Sequence, residues 1–438
     1  MGPKQRRVVI TGVGLICPLG STKEALWAAL VAGQSGVRPL GTIPPEVLPV
    51  RVAAPADGFR GDIDDFGPLE REQKKAIRKG LKVMCRECQM GVAAAQAALL
   101  DAGLTPGKVD PERTGISYGT DYMLSVPEEF NEGILRCVNG DGSFEFPRWG
   151  AEGMPKMSPL WLLKYLPNMP ASHVAIYNDF RGPNNSLTHR EAAANIAAGE
   201  AFQIIARNDA DVMLVGATGT RLHVMKMLHA FQQEEVSGGA GDPTGVSRPF
   251  DSQRTGMVLG EGAGAVVLEE LARAENRGAT IYGEVLAGAS SFAADRRVVA
   301  RRDRSMTNVL QSVLRQAEMS PEQVGHIHAH GLSTRSGDAE EARAIQAIFG
   351  HRTAPVPVTA AKSFFGNLGA GGGLVELIAS LLTLRHGRLF RTLNYQTPDA
   401  ECPVAVVRED GISPGDSFIN ANVTPQGQAS ALLVRRFG

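Results

Sequence analysis

No stretch of the chain stays apolar for the roughly 18–20 residues that a membrane-spanning helix needs. The opening M-G-P-K-Q-R-R runs straight into a strand-like segment rather than the core of a signal peptide, and Arg6 breaks the pattern of an N-myristoylation signal. Excess charge of either sign is missing too. The chain carries 45 basic and 46 acidic residues, a net charge of −1 at pH 7, which argues against nucleic acid or an anionic membrane as a bulk partner. Cysteine is scarce: five residues, odd in number and scattered over 438 positions, make no disulfide framework and suit a reducing compartment. Cys85 and Cys88 do form a C-x-x-C, but inside a helical pattern. No second cysteine or histidine pair at zinc spacing accompanies it, so it reads as two small semi-apolar helix residues. A cytoplasmic protein without a membrane span, a metal or a cofactor is the expectation.

What is present is apolar sequence for a large core, 43% of residues, and 50 glycines. That is enough for two ordinary domains or one large two-lobed unit. Arg7 to Gly20, R-V-V-I-T-G-V-G-L-I-C-P-L-G, predicts a buried strand and a glycine turn. It lacks the third glycine of a dinucleotide fingerprint. Thr22 begins a helix, Arg71 to Ala102 is largely helical, and Thr114 to Tyr118 is a strand. Pro39 to Pro68 and Asp121 to Met157 read as surface excursions, and Pro159 to Pro170 as an amphipathic segment stopped by its prolines. Asp211 to Gly216 and the end of Ser247 to Glu269 are all-apolar strands of the parallel-sheet kind. From about Ala279 the style repeats. Strands at Thr280–Ala287, at H-I-H-A-H-G and at Val356–Ala360 alternate with helices at Thr307–Ala317, Asp338–Phe349 and Gly371–His386. Two halves of alternating strands and helices predict a layered α/β architecture.

The rest is organised around Phe180 to Phe202, F-R-G-P-N-N-S-L-T-H-R-E-A-A-A-N-I-A-A-G-E-A-F. A short strand turns sharply into an alanine-rich helix, which places Glu191 at the helix N-terminus. There free N–H groups and the helix dipole favour negative charge. Nucleophile-bearing enzymes put Ser or Cys at such an elbow.

Together, R-V-V-I-T-G-V-G, G-P-N before the elbow, D-A-D-V-M-L-V-G, S-R-P-F-D…G-E-G-A-G-A-V-V-L-E, H-A-H-G-L-S-T-R-S-G-D-A-E-E and K-S-F-F-G-N-L-G-A-G-G-G-L-V-E resemble the β-ketoacyl synthases of the thiolase superfamily. They cover nearly the whole chain in the family's order and spacing. The resemblance implies a thiolase-like α/β fold of two similar halves in five α-β-α-β-α layers, residues 1–272 and 273–438. It also implies a dimer whose acyl pocket is built across the two-fold interface. In that family a cysteine at the elbow holds the acyl chain as a thioester, and two histidines promote malonyl decarboxylation and stabilise the enolate. Carried over, the first histidine is His330, the supporting lysine Lys362 and the glutamate Glu376. Asn367 stands at the second histidine and Glu191 at the cysteine. The family's F-G-F-G-G loop reads V-T-P-Q-G, Val423 to Gly427.

A carboxylate does not replace a thiolate here, because its acyl adduct is a mixed anhydride too labile to store a chain. The His330/Asn367 pair retains two donors for an enolate oxygen. Glu191, however, repels a malonyl carboxylate or fills the oxyanion-binding space itself. Two expectations follow. The first is a non-condensing partner subunit of the chain-length-factor type that binds acyl chains or an acyl carrier protein, as a homodimer or paired with an active ketosynthase. The alternative is an enzyme without a covalent intermediate, a malonyl-thioester decarboxylase or non-covalent acyltransferase using His330 and Asn367. Each residue also has a bland use. Glu191 serves as a helix N-terminal acid, His330 as a scaffold relic, and Lys362 and Glu376 as a buried ion pair. His326 and His328 alternate with His330 on one strand face, without a carboxylate to complete a metal site, and His189 reads as a packing residue.

Overall fold

The computed structural model describes residues 6–41 and 48–438. Its frame is a mixed sheet whose two halves repeat one strand order. In the first half the strands are β1 (Val8–Ile16), β2 (Thr114–Thr120), β3 (Asn184–Thr188), β4 (Val212–Thr220) and β5 (Leu259–Glu270). They lie side by side as β1-β5-β4-β2-β3. The second half holds β6 (Gly283–Phe292), β7 (His326–His328), β8 (Pro357–Thr359), β9 (Ser417–Val423) and β10 (Gln428–Arg435), ordered β6-β10-β9-β7-β8. The second order is the first shifted by five strands. Among these ten strands the pairs β2–β4, β2–β3 and β7–β9, β7–β8 are parallel and the other pairs within each half antiparallel; the two-residue strand Ala405–Val406 adds parallel to β8. Val8 to Ile10 of β1 pair with Val285 to Gly283 of β6 and join the halves.

Six helices fill the layers: α1 (Arg86–Asp101), α2 (Met169–Asn178), α3 (Ala193–Ala206), α4 (Arg302–Gln316), α5 (Arg335–Phe349) and α6 (Gly372–His386). On one outer side α1 packs on β1, β4 and β5, with α2 beside it; on the other, α4 packs on β6 and β10, with α5 beside it. Between the half-sheets lie α3 and α6, each touching strands of both halves and each other. Strands covered on both faces have no polar side to show, which is why β1, β4 and β9 are buried along their whole length. The alanine-rich sequence of α3 follows from its place in the middle. Ala193, Ala194, Ala197, Ala198 and Ala201 are fully buried, and a Cβ on Gly288 of β6 would stand 2.7 Å from the Cα of Gly199. Helix and strand approach backbone to backbone, and larger side chains do not fit.

Three expectations change. The Pro39–Pro68 segment falls partly outside the described residues, and the rest is no mere surface excursion. Val52–Ala54 pairs parallel with β5, and Phe59 and Phe66 are buried; apolar residues spaced irregularly between glycines and prolines leave no period to detect. The Pro159–Pro170 segment is a 3-10 turn at Trp161–Tyr165 with Leu160 and Leu162 exposed. Its last proline sits in the first turn of α2, where a missing N–H costs nothing. Finally, Arg71–Ala102 is largely helical, as expected, but broken ahead of the C-x-x-C: a helix at Arg71–Gly80 ends in a 3-10 turn, Leu81–Val83, and an extended Met84. Cys85 therefore caps the N-terminus of α1 rather than lying within a helix.

Gly14 on β1 lets α1 sit on the sheet. A Cβ there would stand 2.2 Å from the Ala94 carbonyl oxygen and 2.5 Å from the Ala98 nitrogen, both backbone atoms. Gly14→Ala is expected to destabilise the fold by about 1–3 kcal/mol. Gly58→Ala, which meets nothing within 4 Å, stays within roughly 0.5 kcal/mol of the parent. Urea denaturation midpoints at unchanged slope check both.

Candidate active site

The elbow forms between β3 and α3. His189 leaves the strand, and Arg190 turns the chain with φ of 51°, in the left-handed region that a non-glycine residue occupies only when its surroundings hold it there. One 3-10 turn, Arg190–Ala192, then leads into α3. Glu191 points inward and is 1% exposed. Its carboxylate is not held by the helix N-terminal N–H groups, contrary to the expectation from the elbow alone. The partners come from elsewhere. Arg221, the residue after β4, donates to Oε1, and Asn367 Nδ2 donates to the same oxygen at 3.0 Å. Arg190 Nε lies 3.4 Å from Oε2.

The two arginines share a second acid. Glu234 Oε1 accepts from Arg190 at 2.6 Å and stands 3.5 Å from Arg221 Nη1. Two acids and two guanidinium groups thus balance in charge inside the protein, with the Arg221 side chain 1% and the Glu234 side chain 6% exposed. Burial opposes ionisation of Glu191, yet Arg221, then Arg190 and the Asn367 amide outweigh it and hold the carboxyl well below the usual carboxylate range. Arg221 is correspondingly raised despite its own burial, chiefly by Glu191 and then by Glu234.

His330 follows the short strand β7. Its backbone N–H and that of Gly331 donate to the Glu341 carboxylate at 2.7 and 2.8 Å, while burial pushes the Glu341 carboxyl up to about 7. The imidazole Nδ1 lies 3.4 Å from Asn422 Nδ2, and Nε2 has no hydrogen-bond partner among the described residues. Burial, then the Lys362 charge, hold the ring well below its usual titration range, so His330 is neutral. Lys362 and Glu376 form a buried ion pair, and Asn422 Nδ2 donates to the other Glu376 oxygen at 2.7 Å. Asn195 of α3 donates to Asn422 Oδ1 at 2.9 Å and to the Asn420 carbonyl at 3.1 Å. A polar seam therefore runs from the elbow helix through β9 to His330. His326 and His328 face Ser380 of α6, at 3.3 and 2.7 Å, and are buried and neutral.

The five residues singled out in the sequence thus divide into two linked groups. Glu191 meets Asn367; His330, Lys362 and Glu376 meet through Asn422. Sequence reasoning missed Arg190, Arg221, Glu234, Glu341 and Asn422. A faint signal existed for Arg221, an arginine closing an otherwise apolar and small-residue strand.

Comparison with known proteins agrees with this architecture. The family model for the β-ketoacyl synthase N-terminal domain matches residues 5–274, and that for the C-terminal domain residues 282–396. The chain belongs to the β-ketoacyl synthase family. It is 32% identical over 407 residues to 3-oxoacyl-[acyl-carrier-protein] synthase 2 of Coxiella burnetii, covering 92% of each chain. To the protein of the same name from Staphylococcus aureus it is 29% identical, over 98% of each. Among solved structures, a β-ketoacyl synthase from Burkholderia phymatum superposes with a TM-score of 0.84 at 26% identity, over 99% of this chain and 100% of that one. The ishigamide ketosynthase/chain length factor gives 0.81 at 27% identity over the same shares. A type II polyketide acyl-carrier protein in complex with its ketosynthase bound to the hexaketide gives 0.82 at 25% identity, again over those shares. The fold is the thiolase-like fold of these ketosynthases.

Glu191→Gln leaves Arg221 buried without its hydrogen-bonded acid, with Glu234 at 3.5 Å and the charge of Asp121 remaining, and is expected to destabilise the protein by about 3–5 kcal/mol. The folded chain keeps Glu191 ionised below 4.5, where the unfolded chain protonates it. The unfolded state then binds more protons, so this contribution to stability is lost as pH falls. The gap between parent and Glu191→Gln is therefore full above pH 4.5 and narrows below it. Denaturation midpoints measured across that window check the sign.

Proposed function

We propose that this protein is a non-condensing member of the β-ketoacyl synthase family, a partner subunit that shapes the acyl pocket of an active ketosynthase in the manner of a chain length factor. Its ligands are acyl chains or an acyl carrier protein. The observation that carries the reading is the clamp on Glu191. At the position that the resemblance assigns to the nucleophilic cysteine stands a carboxylate tied to Arg221 and Asn367. Held far below its usual range, it is too weak a base to take a proton, and its acyl adduct would not store a chain.

The same contact weighs against decarboxylation. Asn367, at the place of the second histidine, gives its amide to Glu191 and accepts the Gly369 N–H at 3.0 Å. Its two N–H donors are turned to the protein, one to Glu191 and one toward Met257 Sδ at 3.5 Å, rather than to an enolate oxygen. Arg190 and Arg221, which a malonyl carboxylate would need, are already matched by Glu191 and Glu234. The pairing role has support at the surface. β3 is the last strand of the first half, with one edge unpaired among the described residues. The excursion and the segments that follow it expose Leu135, Phe146, Leu160, Leu162 and Ile176. An open strand edge and exposed apolar side chains are surfaces that a second subunit covers.

One observation favours the alternative, a malonyl-thioester decarboxylase: among the described residues the buried Nε2 of His330 has no partner, which leaves it to donate to, or accept from, a thioester. Purified protein mixed with malonyl-loaded carrier protein, followed by mass, is expected to show no loss of the carboxyl group. Mixed with the intact ketosynthases of its host, it is expected to form a one-to-one complex by native mass spectrometry. Decarboxylation abolished by His330→Ala, from a tight homodimer that ignores those ketosynthases, would overturn the proposal.

A further inference from the structure

The C-x-x-C is absorbed neither by the fold nor by the proposed function. Cys85 caps α1 and Cys88 lies one turn on, with their sulfurs 3.6 Å apart. All five cysteines are free. Cys17, Cys88, Cys137 and Cys402 are buried, and Cys85 alone is half-buried. Cys85 also lines a cavity of about 680 Å3 together with Arg86, Glu87, Tyr165, His223 and Glu261. The pair therefore has one sulfur within reach of solvent and a second behind it. Both sulfurs approach Met123 Sδ, at 3.8 and 3.9 Å, so the pair borders the root of the Asp121–Met157 excursion.

We propose that Cys85 and Cys88 form a reversible disulfide by exchange with a low-molecular-weight disulfide, Cys85 attacking and Cys88 resolving. Cys85 gives up its proton and its sulfur attacks one sulfur of the small disulfide. That S–S bond breaks, one small thiolate leaves, and a mixed disulfide remains on Cys85. Cys88 then loses its proton and attacks the Cys85 sulfur, expelling the second small thiolate. The two protons end on the two released thiols. The cysteine pair is oxidised by two electrons, and the small disulfide is reduced by two.

Geometry assigns the order, because a reagent reaches the half-buried sulfur first. The chemistry agrees: contact with Cys85, then burial, push the Cys88 thiol well above its usual range, and its burial leaves Cys85 the sulfur that meets an outside reagent first. Residues three apart on the first helical turn stand on one face. Closing the bond to the roughly 2.05 Å of a disulfide asks for side-chain movement at a helix end, where the chain is least constrained. No metal reading competes: among the described residues no group of three His, Cys, Asp or Glu side chains is placed to hold an ion.

The test is equilibration of the folded full-length protein with glutathione disulfide, followed by intact mass and tryptic mapping. Trypsin cuts after Lys82 and Arg86, so a Cys85–Cys88 bond holds together two peptides that separate on reduction. The expected result is loss of two hydrogens, a linked pair of these peptides, and full reversal by a phosphine reductant. Cys88→Ser is expected to accumulate glutathione on Cys85, and Cys85→Ser to form neither the disulfide nor an adduct on Cys88. Where a variant does not fold, the linked peptides of the parent protein decide. The proposal is overturned if the parent shows no linked peptides under conditions that oxidise free dithiothreitol. It is equally overturned if Cys17, Cys137 and Cys402 react as readily as Cys85, which would mark unfolding rather than a built pair.

Discussion

A carboxylate buried beside two guanidinium groups governs the centre of this molecule. Taking Glu191 and Arg221 out of water is unfavourable for each alone, and removing either would strand the other without solvent. Glu234 and Arg190 complete the balance, and the arrangement draws on four separate pieces of chain: the elbow, the end of β4, the helix at Val224–Gln233 with its following residue, and the loop that carries Asn367. The elbow backbone is held with it. A left-handed Arg190 is unfavourable in isolation and persists because its side chain is anchored to Glu234.

The scaffold around that centre explains why the chain keeps a ketosynthase form while its site is occupied by its own side chains. The two middle helices pack backbone-close against both half-sheets, and the asparagine seam of Asn195, Asn420 and Asn422 hydrogen-bonds across that packing. The Lys362–Glu376 pair and Asn422 form part of that seam. These residues brace α6 against β9 whether or not chemistry takes place at His330, so retention of His330, Lys362 and Glu376 is compatible with a structural use. An enzyme must leave its donors unspent until the substrate arrives; here the Asn367 amide gives one N–H to Glu191 and turns the other toward Met257 Sδ.

Much of the fold was legible because the strands are apolar along their length and the helices are long, with turn glycines between them. The repeat of strand order could not be read, since residue identity between the halves is slight and order in space is set by pairing, not by spacing. The break at Met84 was hidden for a related reason. Helical periodicity runs through it, and only the packing of Gly80 against Tyr177 and the extended Met84 show where one helix ends. The prolines after Trp161 misled in the opposite direction, because a proline stops a helix from within and starts one at its first turn.

By itself the sequence determined the fold class and the elbow, because local pattern and motif order carry that information; which residues stand at functional positions it offered only through the family resemblance. It also contained the chemical conflict: an acid where the family resemblance implies a nucleophile. Tertiary structure alone decided what that acid does. Arg221 is 30 residues from Glu191 along the chain and Asn367 is 176, and no spacing rule links such distances. The pairing became visible only once β4, the elbow and the glycine-rich loop converged. Electrostatics in a buried site depends on which charges meet there, and the fold arranges that meeting.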